Sequence, residues 1–223
     1  MDKIVRCLLF GPAGSGKSTI RGLLVKRFPL KYVYSGDLIR KEIFENTEFG
    51  KQAKEYVSKG KVVPDDLVNK LMINTLSRKE FLENHLLLDG YPRTLAQCNV
   101  LHNVIPPNLV IEIDVPRDVI IDRMSKRWIH EASGRTYNLD FSPPKVPGKD
   151  DVTGEPLIRR IDDTPEAISA RLEHYNSTES WAVEYYTKQR IVHRVSGNTT
   201  KEIWPKVSKI MEKYLKPVAE VSV

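Results

Sequence analysis

Apolar residues along this chain fall into short unbroken runs, separated by stretches where they recur with helical spacing. The runs are Ile4 to Phe10, Tyr32 to Tyr34, Leu86 to Leu88, Leu109 to Val115 and Ile191 to Val195. A strand covered on both faces needs such a run, because neither of its faces meets water. Lys17 to Arg27 and Asp65 to Leu76 carry the helical spacing. The alternation predicts an α/β fold with about five parallel strands flanked by helices.

One region interrupts the pattern. From Trp128 to Asp163 the chain is rich in proline, glycine and aspartate and shows no helical period. A structureless loop of that length is improbable inside a domain, so the spacing predicts short antiparallel strands in an inserted lid. Helical spacing resumes at Pro165, a suitable first-turn residue after the candidate N-cap Thr164, and runs to about Lys188. The resulting division is a core over residues 1–127, a lid over 128–163 and a C-terminal core part over 164–223.

The first run leads into Gly11-Pro-Ala-Gly-Ser-Gly-Lys17-Ser-Thr19, which matches G-x-x-x-x-G-K-[ST] between a predicted strand and a predicted helix. Glycines let successive backbone N–H groups turn toward phosphates, and the helix N-terminus adds partial positive charge. Gly14, Ser15, Gly16, Lys17, Ser18 and Thr19 are therefore candidates for a nucleoside triphosphate. Lys17 is placed to reach the β- and γ-phosphates and Ser18 to offer its hydroxyl to Mg²⁺. Asp89, closing the run that starts at Leu86, is placed to hold the same ion through water.

Composition narrows the classes further. The chain has 223 residues, 40% hydrophobic and 29% charged, with a net charge of +6. That charge suits polyanions, nucleotides included, without choosing among them. Cys7 and Cys98 stand far apart with no CxxC spacing, which supports neither a disulfide framework nor a cysteine zinc site. Neither a membrane-length apolar run nor a secretory leader is apparent, so an intracellular protein is expected.

Further motifs select among phosphate-loop proteins. They are Ser35-Gly-Asp-Leu-Ile-Arg40, Gly60-Lys-Val-Val63, Asp89-Gly-Tyr-Pro-Arg93 with Gln97, and Asp122-Arg123 with Arg127. Ser133-Gly-Arg-Thr-Tyr137, Asp150-Asp-Val-Thr-Gly154 and Arg160 with Arg171 follow in order. Over essentially its whole length the chain resembles the adenylate kinase family, in its long-lid form. Within that family it looks most like the GTP:AMP phosphotransferase branch of the mitochondrial matrix.

The resemblance implies a P-loop kinase fold and transfer of a γ-phosphoryl group to AMP, with GTP favoured as donor and ATP as the alternative. It implies an AMP site within nucleoside monophosphate-binding helices at about 35–64 and beyond them. That site would use Ser35, Arg40, Lys61, Val62, Val63, Gly90, Tyr91, Pro92, Arg93, Gln97, Arg160 and Arg171. On the donor side it adds Arg123, Arg127, Thr136, Tyr137 and Thr199 to the phosphate loop. Lys17, Arg93, Arg127, Arg160 and Arg171 are the expected catalytic charges, since phosphoryl transfer needs donors around non-bridging oxygens rather than a nucleophilic side chain. Arg123 and Arg127, four apart, are expected on one helix face.

Ser18 stands where the family usually has glycine, Ala13 where it has proline, Ser35 for threonine and Tyr91 for phenylalanine. Tyr91 is expected to bring a hydroxyl into the AMP pocket. Where some relatives hold structural zinc with four lid cysteines, this chain has His130, Ser133, Asp150 and Thr153. That set suits a hydrogen-bond network better than zinc, so Mg²⁺ is the only metal expected. The backbone of Ser196 to Thr199 is expected along the purine edge, offering N–H groups to guanine O6.

The expected partners are GTP or ATP and AMP, with no nucleic acid and no membrane, for a monomer in the mitochondrial matrix or alternatively the cytosol. A regulatory GTPase would need Asn-Lys-x-Asp, whereas Asn69-Lys70 is followed by Leu71 and Met72 inside a predicted helix. A nucleic-acid binder lacks clustered aromatics among the basic residues. A UMP or CMP kinase stays open.

Overall fold

The computed structural model describes residues 3–59, 61–159 and 163–221. Five strands form one parallel sheet: β1 (Arg6–Phe10), β2 (Lys31–Tyr34), β3 (Leu86–Asp89), β4 (Leu109–Asp114) and β7 (Val192–Ser196). Their order is β2-β3-β1-β4-β7. The central strand shows why the runs carry no polar alternation. Cys7 and Leu9 pack into one core with Ile20, Leu24, Ile111 and Val207, while Leu8 and Phe10 pack into a second with Leu88, Met72, Val110 and Tyr186. The central strands β1, β3 and β4 are buried on both faces over most of their length.

Helices α1 (Lys17–Arg27), α7 (Arg117–Ser125) and α9 (Thr200–Met211) contribute to the first core, and α4 (Asp65–Leu76) and α6 (Leu95–Val104) to the second. Between β2 and α4 the chain forms an arm of two helices, α2 (Ser35–Phe44) and α3 (Glu48–Val57). Their approach depends on Gly50, where an added Cβ would lie 1.9 Å from the Glu42 carbonyl oxygen. The short α5 (Lys79–Leu82) leads back to the sheet. Helix α8 (Pro165–Thr187) is the longest, capped by Thr164, whose hydroxyl accepts from the Ala167 N–H. Its Ile168 and Leu172 belong to the first core and its Ala182, Val183 and Tyr186 to the second. The middle of α8 therefore crosses from one layer to the other.

The insertion contains the antiparallel pair β5 (Arg127–Ile129) and β6 (Thr136–Asn138), joined by bridges of Ile129 with Ile158 and Lys149 with Pro156. Here one expectation fails. Helix α7 ends at Ser125, with Lys126 leaving helical geometry at φ −103°, ψ 9°, so Arg127 lies in a lid strand and shares no helix face with Arg123. Among the described residues no helix is long and apolar enough to cross a membrane.

Candidate active site

The C-terminal ends of the strands open into a cleft of about 1690 Å³ bounded by the glycine loop, the β3 end, the lid and the middle of α8. Open parallel sheets bind ligands in this position. Gly14, Gly16, Lys17, Ser18, Thr19, Arg40, Asp89, Gly90, Tyr91, Pro92, Arg93, Arg123, Arg127, Thr136, Tyr137, Arg171 and Thr199 all line it. Ser15, Ser35, Lys61, Val62, Val63 and Gln97 do not line it. Arg160 and Gly60 lie outside the described residues.

The loop's shape rests on Gly14 and Gly16, at φ +84° and +89°, where a side chain would be strained. A Cβ on Gly14 would also meet the Met124 side chain at 2.8 Å. Gly16 caps α1 with no side-chain hydrogen bond, which leaves the helix start open to an anion. The Lys17 ammonium donates to the carbonyls of Gly11 and Pro12, bracing the loop from within. Burial lowers its proton affinity, Asp89 and Glu179 act to raise it, and Arg93 and Arg21 act to lower it. Ser15 is buried and its hydroxyl has no protein partner.

At the β3 end, Asp89 Oδ2 accepts from Arg21 at 2.9 Å, while Oδ1 is buried with no partner. Arg21 follows Lys17 by one helical turn and stacks over Tyr34, 4.8 Å from the ring centre. The periodicity from Lys17 was the signal that could have revealed it. Arg93 donates through Nε to the Gly90 carbonyl at 2.9 Å and through Nη1 to Glu179 at 3.1 Å. Arg40 pairs with Asp37 and lies over Tyr34, and the Ser35 hydroxyl donates to the Gly90 carbonyl at 2.7 Å.

One acceptor-side expectation changes. The Tyr91 hydroxyl does not enter the cleft; it donates to Asn69 Oδ1 at 2.7 Å, because the ring is buried and that amide is at hand. Gln97 spends its carbonyl oxygen on the Arg93 N–H and an amide hydrogen on Asp65, both at 2.7 Å. It thereby braces the Arg93 turn. Lys61 donates its N–H to the Tyr56 carbonyl, Val62 is exposed, and Val63 belongs to the second core.

On the lid side, Arg127 grips Asp163 with two parallel bonds of 2.8 and 2.7 Å, and Arg171 reaches the same carboxylate at 3.2 Å. Arg123 donates to the Gly14 and Asn198 carbonyls and lies over Phe141. Burial lowers its proton affinity. Thr199 caps α9. The N–H groups of Gly197 and Asn198 are committed to the Asp114 carbonyl and to Glu202, so they are not the guanine-reading donors the sequence suggested.

The lid's own polar residues bind one another. Asp150 accepts two bonds from Arg135, at 2.8 and 2.6 Å, and others from the Tyr137 hydroxyl and the Thr153 N–H and hydroxyl. These donors, Arg135 foremost, hold its carboxyl well below the usual range. His130 meets Glu155 through Nε2 at 2.5 Å and Ser133 through Nδ1 at 2.7 Å. A carboxylate only accepts, so Nε2 carries the proton that bonds Glu155. The expected hydrogen-bond network is present, with Arg135 and Glu155 as members the sequence reading missed. Tyr137 spends its hydroxyl here, donating to Asp150 and accepting from the Asp151 N–H.

Comparison with known proteins bears on the whole arrangement. The adenylate kinase family model matches residues 9–191. A mitochondrial GTP:AMP phosphotransferase of Drosophila melanogaster is 46% identical over 203 residues, spanning 91% of this chain and 93% of that protein. One from Saccharomyces cerevisiae is 44% identical over 213 residues, spanning 92% and 91%. With the match running from the strand before the glycine loop through the lid and along α8, the chain belongs to the adenylate kinase family.

Proposed function

We propose that this protein transfers the γ-phosphoryl group of GTP, in preference to ATP, to AMP in the mitochondrial matrix. The observation that carries the reading is a single cleft faced by Lys17 on the donor loop and by Arg93 at the acceptor-side strand end. One anionic group held by both loop and arginine is what in-line transfer requires. Donor and compartment rest on the names of the relatives, which share both.

The roles follow from chemistry at each position. Backbone N–H groups of Gly14, Gly16, Lys17 and Ser18 cradle the donor phosphates, and Lys17 leaves its carbonyl partners to follow the migrating group. Arg123 and Arg127 approach from the donor side and Arg93 and Arg171 from the acceptor side, each with planar forks suited to phosphate oxygens. Arg160 is assigned there from the motif. The unpartnered Asp89 Oδ1 and the exposed Ser18 hydroxyl fit Mg²⁺ at the cleft. When bound, the ion neutralises charge on the β- and γ-phosphates. The lid over 128–163 closes to exclude water, which otherwise competes with AMP for the phosphoryl group. The enzyme acts as a monomer.

The test is a coupled assay with AMP, UMP and CMP as acceptors and MgGTP and MgATP as donors. The reading expects turnover with AMP and a higher kcat/KM for MgGTP. Equal or better use of MgATP would make the protein an ATP:AMP kinase, and turnover of UMP or CMP alone would reject the acceptor.

A further inference from the structure

Helix α8 puts a carboxylate where phosphate chemistry asks for none. Arg171, Tyr175 and Glu179 stand one turn apart and all line the cleft. The Glu179 side chain is only 14% exposed, and Oε1 accepts from Arg93 Nη1 at 3.1 Å. With Nε held by the Gly90 carbonyl, the guanidinium is fixed from two sides. The charge of Glu179 is also felt at Lys17. Stability does not account for the pair, since the arginine is 48% exposed and such ion pairs contribute little. Toward an incoming phosphate, however, a negative charge bonded to one gripping cation and acting on another is repulsive.

We infer that Glu179 is a positioning residue that fixes Arg93 for the acceptor phosphate while holding down the affinity for that phosphate. Its oxygen aims the guanidinium, and its charge offsets part of the field that Arg93 and Lys17 create. The two contributions separate in Glu179→Gln, which keeps an acceptor oxygen for Arg93 and removes the charge. The inference rests on AMP being the acceptor.

The experiment measures AMP binding by calorimetry without donor, then KM for AMP and for MgGTP. In Glu179→Gln the AMP dissociation constant and KM are expected to fall about fivefold, with KM for MgGTP changed far less. The gain should shrink as salt is raised through the range where exposed charges are screened. Glu179→Asp, which keeps the charge but is one methylene shorter, is expected to bind AMP no tighter than the native protein. Unchanged or weaker AMP binding in Glu179→Gln overturns the inference, as does equal tightening in Glu179→Asp or an equal change in both KM values. Native protein that neither binds nor phosphorylates AMP would instead sink the acceptor assignment, and this inference with it.

Discussion

In the lid, Asp150 accepts from Arg135, Tyr137 and Thr153, and both nitrogens of His130 have partners. At the cleft, Asp89 Oδ1, the Tyr175 hydroxyl and Arg123 Nε are buried without any, as is the Ser15 hydroxyl beneath the glycine loop. Trp128 Nε1, under the Arg159 guanidinium, is the lid's exception. Satisfied buried groups specify a shape, whereas unsatisfied ones carry a desolvation cost that a polar ligand can relieve. The small lid thus keeps its form through polar pairing, while the cleft, stiffened by two apolar cores behind it, leaves donors and acceptors for something else.

The largest effect should come from the cleft. Lys17→Met is expected to lower kcat by about a thousandfold or more, because its charge follows the migrating phosphoryl group. The fold should persist, with a melting curve close to native, since the core needs no charge at that position. Near-native turnover with AMP would show that the loop does not hold the donor.

Asp150→Asn should act the opposite way, loosening structure before chemistry. Amides across residues 128–159 are expected to exchange hydrogen about tenfold faster while the sheet keeps its protection. A global drop in melting temperature with no lid-specific exchange would break the distinction between the two regions.

The same carboxylate gives a pH dependence of fixed sign. The Asp150 carboxyl titrates lower when folded than in the unfolded chain, whose value lies near about 3.9. Its contribution is therefore complete above that value and is lost as pH falls toward the lower folded one. Lid exchange, corrected for intrinsic rates, should match between pH 7 and pH 5 and rise only below about pH 4. Loosening already near pH 6 would mean that the Asp150 carboxylate does not set the lid's pH dependence.

The smallest effects form a matched pair of lost hydroxyls. Tyr137→Phe removes one of the donors to Asp150, leaves the Asp151 N–H without its acceptor and should measurably speed lid exchange. Tyr175→Phe removes a buried hydroxyl without a protein partner and with it a desolvation cost, so unfolding free energy should hold or rise by up to about 1 kcal/mol. Equal responses would mean that paired and unpaired hydroxyls do not differ here.

Legibility in the sequence followed how local each cause is. The strand runs stood out because the central strands are buried on both faces, and α1 and α4 match the predicted bounds because helical spacing is a property of neighbours. The glycine loop was legible for the same reason. The end of α7 was not, since no glycine or proline marks the turn at Lys126. Glu179 and Arg21 read as ordinary charged helix positions, their partners Arg93 and Asp89 lying far along the chain. The contacts of Gln97 and Tyr91 with Asp65 and Asn69 were not legible, because those partners reach them only through folding.

Helix α8 acts as a ruler. Anchored through Leu172 in one core and Ala182 in the other, it cannot slide without opening one of them. At 1.5 Å per residue, Arg171 and Glu179 stand roughly 12 Å apart along its axis. That interval is set by the rise of the helix, and its place over the cleft by the two cores that hold α8. An added methyl group at Ala182, fully buried and outside the cleft, would push both charges in step. Acceptor affinity is thus exposed to mutation at a packing position, where a search confined to charged residues would never look.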